Sequence, residues 1–486
     1  MIFRRHPERA ASAERKTMKK GWLSRYVGDR RFYARMLRIV LPIMAQNAIT
    51  NFVSLLDNIM VGALGTEPMT GVSIVNQLIV VFNLCIFGGL SGAGIFTSQY
   101  YGGGDEEGVR STFRFKLLLG IFVTAGSAAV LFFGGRGLVG LFLHEGGETG
   151  DLALTQSCAM DYLYIMLLGL PPYALQQVYS TTLRECGETA APMKAGFAAI
   201  FVNLFFNYVF IFGKLGAPAM GAAGAALATV ISRYAEAGVL LLWTGRHPDR
   251  TAYLRGAYRT LRVPAELMGR IVRKGMPLLV NECVWSVGMT ALVQCYSMRG
   301  LAATAAVNIS STVMNLFNIV WTSYGLAVSI MVGQELGASR FEEAKATVRK
   351  VMAFSVAQAL VLGWAFSLLA PLFPMLYNTT EEVRSLAAAF IRITMLTSFL
   401  QAFANASYFI IRAGGRTWVT FLFDGFLLWA FRIPLVRLLI DFTALPIVPI
   451  FLVSALTELV KDAVGYILLR RGVFLHNLVG VAEERA

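Results

Sequence analysis

The chain has 486 residues, of which 56% are hydrophobic and 15% charged, against roughly a quarter charged in an ordinary soluble domain. Together with a mean hydropathy of +0.60, this excludes a soluble globular enzyme, which needs more polar surface to cover its core. The net charge of +14 invites a nucleic-acid reading, but the basic residues lie between apolar runs rather than on a polar domain of their own, which sets that reading aside.

In chain order, residues 1–35 form a basic segment that includes Arg4, Arg5, Lys16, Lys19, Lys20 and Arg25. It leads into a full-length apolar stretch without an obvious small-residue cleavage site, so no secretory signal is expected. Helices are predicted at 36–63, 69–98, 115–135, 156–183, 191–213, 219–243, 269–298, 302–334, 349–377, 385–411, 417–439 and 446–469. The runs 69–98, 195–213, 301–334 and 351–377 contain no charge at all and approach or exceed the roughly 20 residues that cross ~30 Å of hydrocarbon. Continuous apolarity of that length means spanning helices rather than strands. The fold class is therefore an all-α integral membrane protein of twelve transmembrane helices.

Charge sets the expected orientation. The basic N-terminal segment, Arg110 and Arg114, Arg184 and Lys194, the stretch 244–274, Arg340, Lys345 and Arg349, and Arg412 and Arg416 fall on even-numbered connections or the N-terminus. The positive-inside rule puts these on the cytoplasmic side with both termini. Opposite connections hold Glu145, Glu148 and Asp151, or Glu381 and Glu382. Cys85, Cys158, Cys186, Cys283 and Cys295 are odd in number and scattered, so neither a disulfide framework nor a metal cluster is expected. Gly102-Gly103-Gly104-Asp105 lacks the following Lys of a phosphate-binding loop and reads as a flexible turn.

The chain repeats itself. A shift of 235 residues superposes Pro42 on Pro277, Gly65 on Gly300, Asn83 on Asn318, Gln99 on Gln334 and Arg114 on Arg349; a shift of 228 superposes Arg184 on Arg412, Gly187 on Gly415 and Thr229 on Thr457. Each repeat holds six helices, an even number, so the repeats are parallel and a two-fold axis along the membrane normal relates two lobes. The expected organisation is a basic N-terminal segment 1–35, an N-lobe 36–243, a basic cytoplasmic linker 244–268, a C-lobe 269–472 and a cytoplasmic tail 473–486.

Several segments resemble one family. These are Pro42, Asp57, Val61-Gly62-Ala63-Leu64-Gly65, then Gln99 and Gly102, Leu183-Arg184-Glu185-Cys186-Gly187-Glu188-Thr189 before Pro192-Met193, Gly221-Ala222-Ala223-Gly224-Ala225-Ala226, and Gly275-Met276-Pro277 with Asn281-Glu282. In order and spacing they resemble the multidrug and toxic compound extrusion (MATE) family of the MOP flippase superfamily. The resemblance implies a secondary active antiporter in the inner (plasma) membrane that exports diverse organic, often cationic, small molecules by alternating access in exchange for Na+ or H+. It implies no enzyme activity and no cofactor beyond the coupling ion. The expected partners are small-molecule substrates and the lipid bilayer, not nucleic acid, and a monomer suffices for a two-lobe mechanism.

Candidate site residues follow from the rule that an ionisable group at membrane depth is a functional hypothesis by default. Asp57 is the only charge between Arg38 and Glu67. A carboxyl buried there could hold a proton near neutral pH or ligate a bare cation; snorkelling to the interface is the bland alternative. Asn203 and Asn207, at i and i+4, share one helix face, and their amide oxygens are hard neutral ligands that with Asp57 could hold Na+. Inter-helix hydrogen bonding alone would also explain them. The resemblance assigns these three to the N-lobe cation site, with Thr229 grouped beside them; some members carry a second acid where this chain has Asn207. The repeat equivalents of the three are Leu292, Phe431 and Leu435, all apolar, so packing common to both lobes does not require them.

In the C-lobe, Glu282 is the only charge between Lys274 and Arg299. The resemblance suggests a helix-ten Asp as its partner, where this chain offers only Gln401 and Asn405. These three are candidates for a cation or substrate. Trp285, Trp321 and Tyr324 are candidates for lining a substrate cavity through their π-faces. Arg233 with Glu236, and Lys461 with Glu458 and Asp462, read as ion pairs neutralising themselves within each lobe. Asp424 and Arg432, eight apart, read as one network. The alternative function is a flippase for a lipid-linked saccharide or other amphipathic lipid, which would need basic residues deep in the cavity; Arg432 and Arg392 are the candidates. A membrane-embedded enzyme would need clustered His or carboxylate chemistry, which the sequence does not display.

Overall fold

The computed structural model describes residues 25–143 and 151–480. Arg4, Arg5, Lys16, Lys19, Lys20, Glu145, Glu148 and residues 481–486 lie outside them. Among the described residues every regular element is helical. Helices α1 Arg30–Gly62, α2 Thr66–Gly103 and α3 Glu106–Gly140 are followed by α4 Leu152–Leu167, α5 Leu170–Glu185, α6 Ala190–Phe212 and α7 Gly221–Arg246. After two short 3-10 turns come α8 Ala265–Ser297, α9 Leu301–Gly337, α10 Phe341–Leu368, α11 Glu381–Leu396 and α12 Ser398–Ala413. The series closes with α13 Thr417–Phe442, α14 Ile447–Leu456 and α15 Glu458–Arg470.

Nine described helices are long and apolar enough to cross a membrane, or up to eleven if each of two bent pairs is one span. The segments 156–183 and 385–411, expected as single helices, are those pairs: α4 and α5 bend by 48°, α11 and α12 by 52°. In the first, Pro171 and Pro172 open α5; neither has an N–H to continue the ladder of α4. In the second, the Thr397 hydroxyl donates to Ile393 O at 2.8 Å at the joint, where such back-bonding bends helices. The expected twelfth helix is also two pieces, α14 and α15, which do not meet the same test because Glu458, Lys461 and Asp462 interrupt the apolar run. Within α13, Leu422–Phe426 and Leu428–Arg432 are π-helical. Pro434 just beyond lacks the N–H that would continue the ladder, and Asn281 on α8 accepts from Gly425 N at 3.0 Å while donating to Asp424 Oδ2 at 3.1 Å.

Helix ends bear on other expectations. The Gly102–Asp105 stretch holds the expected turn: Gly104 ends α2 in the left-handed region at φ 78°, and the Asp105 carboxylate caps α3 by accepting from Gly108 N at 2.8 Å. Its repeat equivalent Ser339 is also left-handed at φ 56°. Two further pairs agree, Gly65 with Gly300 (φ 114° and 111°) and Gly187 with Gly415 (φ 88° and 70°). The shifts read from sequence thus recur in backbone conformation.

The described residues fall into two compact units. One holds those up to Val40 with Met289–Gly414 and Leu427–His476; the other holds Leu41–Gly288, Gly415–Phe426 and those from Asn477. Helices α1, α8 and α13 each contribute to both. In the unit that contains α2 to α7, the core runs from Val61 through Phe82 and Phe113 to Leu183 and takes in Tyr253, Leu254 and Ala257 of the basic connection. That connection is docked: Arg114 Nε donates to Ala257 O at 3.0 Å, and the Tyr179 and Tyr258 hydroxyls lie 2.5 Å apart. In the other unit, a core around Leu292, Phe390, Val436 and Phe451 joins α8, α9, α11, α13 and α14.

Candidate functional site

Small residues create the site. Gly224 on α7 lies so close to α6 that an added Cβ would stand 2.6 Å from Phe210 O, so the Gly221–Ala226 run lets α7 approach to backbone contact. α6 ends at Gly213 in the left-handed region, φ 64°, and the chain returns directly along it. This close pair brings Asn203 and Asn207 of α6 beside Thr229 of α7, and α1 adds Asp57. Asn207 Nδ2 donates to Asp57 Oδ1 at 2.5 Å and to Asn203 Oδ1 at 3.0 Å. Asn203 Nδ2 donates to Thr229 Oγ1 at 3.4 Å.

Asn203 and Asn207 are buried, while Asp57 and Thr229 are half-buried. Both N–H bonds of the Asn207 amide have acceptors, yet its Oδ1 is buried without a hydrogen-bond partner among the described residues. A buried acceptor left unpaired is unfavourable by roughly 1–3 kcal/mol, so the atom wants a proton or a cation. The Asp57 carboxylate, the two amide oxygens and the Thr229 hydroxyl supply hard oxygen donors of the kind an alkali cation takes. The four candidates thus converge within one unit.

The surrounding charges pair differently from expectation. Arg233, one turn beyond Thr229, donates to Gly169 O at 3.3 Å and lies 4.9 Å from the Tyr173 ring centroid. Glu236 accepts from Gln176 at 2.8 Å, and no Arg233–Glu236 ion pair occurs among the described residues. Both side chains turn outward to the α4–α5 segment instead of along their own helix. In the other unit Arg432 pairs with Glu458 at 3.0 Å and donates to Ser454 at 3.1 Å; the π-helical turns change the periodicity on which an Asp424–Arg432 face was expected. Of the two flippase candidates, Arg432 is therefore engaged by a carboxylate, and Arg392 is exposed.

The remaining candidates are dispersed. Glu282 is half-buried on α8 in the unit that holds Asp57, whereas Gln401 and Asn405 on α12 belong to the other. Asn405 Oδ1 is buried without a partner among the described residues, against Gly325 of α9. Trp285 is 39% exposed, while Trp321 and Tyr324 are 7% and 4% exposed and packed into their unit; Trp321 sits with Ala359 and Ala402.

The sequence reading missed one buried pair. Lys116 is fully buried, its Nζ 2.5 Å from Glu185 Oε2 and 3.2 Å from the Thr182 hydroxyl. Nearby, Arg184 donates to Gln46 of α1 at 2.6 Å. α3 had been expected to begin at 115, which made Lys116 a terminal charge. It begins at Glu106, so Lys116 lies nearly three turns in. The cap Asp105 followed by Glu106 and Glu107 was the signal.

The MatE family pattern matches residues 42–209 and 277–438. The chain is 24% identical over 411 residues to a protein of Thermotoga maritima named "Probable multidrug resistance protein NorM", covering 84% of this chain and 85% of that one. It is 24% identical over 415 residues to the Pseudomonas aeruginosa multidrug resistance protein PmpM, covering 85% of each. Its fold is similar to the crystal structure of the Vibrio cholerae MATE transporter VcmN in the bent form, with a TM-score of 0.82 at 17% identity over 91% of this chain and 97% of that one.

Proposed function

Because the chain belongs to the MatE family, we propose that it is a multi-pass secondary antiporter that exports organic, often cationic, small molecules in exchange for Na+ or H+. The observation that carries this reading is the oxygen cluster of Asp57, Asn203, Asn207 and Thr229, with its unpartnered Asn207 Oδ1. The relatives named for multidrug resistance supply the export direction and the breadth of substrate.

The chemistry of exchange follows from the hydrogen bond between Asn207 and Asp57. An anionic Asp57 accepts from the Asn207 amide. When Na+ or a proton neutralises the carboxylate, it becomes a weaker acceptor for that N–H, and the charge-assisted bond from Asn207 loosens while Asn203 Oδ1 still holds the other amide hydrogen. Cation binding therefore alters the tie between α1 and α6, and by linkage any substrate that favours the other arrangement lowers cation affinity. Pro42, fifteen residues before Asp57, gives α1 a point where the missing donor eases bending.

In this reading twelve spans form two six-helix lobes, 36–243 and 269–472, with α14 and α15 as the twelfth span. Both termini face the cytoplasm at the inner (plasma) membrane, and a single chain suffices. Glu282, Gln401, Asn405 and Trp285 are secondary candidates for cation or substrate contact. The test is ethidium transport in proteoliposomes under separately imposed Na+ and H+ gradients. Wild type is expected to respond to at least one gradient and Asp57→Asn to neither. Coupled transport in the variant would move the coupling site to Glu282, and a wild type indifferent to both gradients would overturn antiport.

A further inference from the structure

The unit that contains α9 to α12 carries a cavity of about 630 Å³, a size ordinary for ligand pockets and separate from the Asp57 site. One wall is α10, with Val348, Met352, Val356 and Leu360 on successive turns; the other is α15, with Tyr466 and Leu469. At the end where α10 begins and α15 ends, the lining contains Lys345, Arg349 and Arg470, and it contains no acidic residue. Lys345 is already held by Glu342 at 2.7 Å. Arg349 and Arg470 are exposed and form no ion pair among the described residues. The groove is thus apolar along its length and cationic at one end.

We propose that this groove is a binding site for an anionic phospholipid, with the phosphate at Arg349 and Arg470 and an acyl chain along Met352, Val356 and Leu360. Charge selects this occupant. An organic cation would be repelled at the basic end, to which the N-terminal segment adds only the uncharged Tyr26. Length agrees as well. Lys345 to Leu360 spans about 22 Å of helix by the ~1.5 Å rise, enough for a headgroup and the ~15 Å of one hydrocarbon leaflet. Basic pockets beside spanning helices recognise anionic headgroups by these same terms. The proposal stands apart from the coupling reading, since none of its residues belongs to the Asp57 cluster.

The test is native mass spectrometry of the full-length, delipidated protein titrated with phosphatidylglycerol or phosphatidylcholine of identical acyl chains. Phosphatidylglycerol is expected to bind at least about tenfold more tightly, and removal of each guanidinium in Arg349→Gln and Arg470→Gln to weaken it about fivefold. Ala353→Phe, which fills the groove and leaves both arginines in place, is expected to weaken it too; this variant keeps the test decisive if either arginine variant fails to fold. Equal binding of the two lipids, or unchanged binding in the folded variants, would overturn the proposal. So would displacement of the lipid by glycerol phosphate as effective as by phosphatidylglycerol itself, which would mean a site for soluble anions.

Discussion

Asn207 holds two acceptors with its amide nitrogen, and its oxygen has no donor among the described residues, so it is the side chain whose removal separates binding from packing. Asn207→Ala keeps Asp57 but deletes both hydrogen bonds. It is expected to lower cation affinity about tenfold, read as a shift in the Na+ or H+ concentration that half-activates efflux, with little change in folding. Lys116→Met is the contrasting case. It removes the fully buried partner of Glu185, whose side chain is 15% exposed, and is expected to destabilise by about 1–3 kcal/mol, whereas Lys116→Met with Glu185→Met should recover most of the loss; thermal unfolding in detergent distinguishes them. Asp57, Asn203 and Asn207 were legible because a lone charge and an i, i+4 amide pair stand out in an apolar run. Lys116 and Glu185 were not, because charges near a helix end look like loop charges until the true end is known.

The positions of helices were legible and their ends and breaks were not. Apolar length locates the part of a helix that lies in hydrocarbon, but α3 and α10 begin at Glu106 and Phe341, well before their expected starts at 115 and 349. Asp105 and the acidic first turns mark these starts, because carboxylates near a helix N-terminus meet its dipole and free N–H groups. Breaks at Pro171-Pro172 could have been read from the prolines, while the bend at Thr397 carries no such signal. Ser339 sits in the left-handed region at φ 56°, where its repeat equivalent is glycine. Ser339→Gly is therefore expected to stabilise by about 1 kcal/mol, raising the melting temperature. Gly71→Ala should do the reverse, since the added Cβ would stand 2.8 Å from Thr155 O on α4, a backbone atom that cannot swing aside.

Composition alone identified a membrane protein, and the structure bears large exposed apolar side chains to match, Phe133 at 85%, Phe122 at 78% and Leu301 at 89% exposed. The internal repeat was legible from matched residues and recurs in the paired left-handed joints. The boundary of the compact units was not: it falls inside α1, α8 and α13, where continuous helices give no compositional break. The proposed function rests on exchange, and reciprocity then requires that a substrate gradient move the coupling ion as surely as an ion gradient moves substrate. The most direct measurement is therefore the reverse one: an ethidium gradient across sealed proteoliposomes, with counter-movement of 22Na+ or of protons read by an internal pH dye. The account expects ion movement opposite to ethidium in wild type and none in Asp57→Asn. Ethidium crossing with no counter-ion, or exchange that persists in Asp57→Asn, would contradict it.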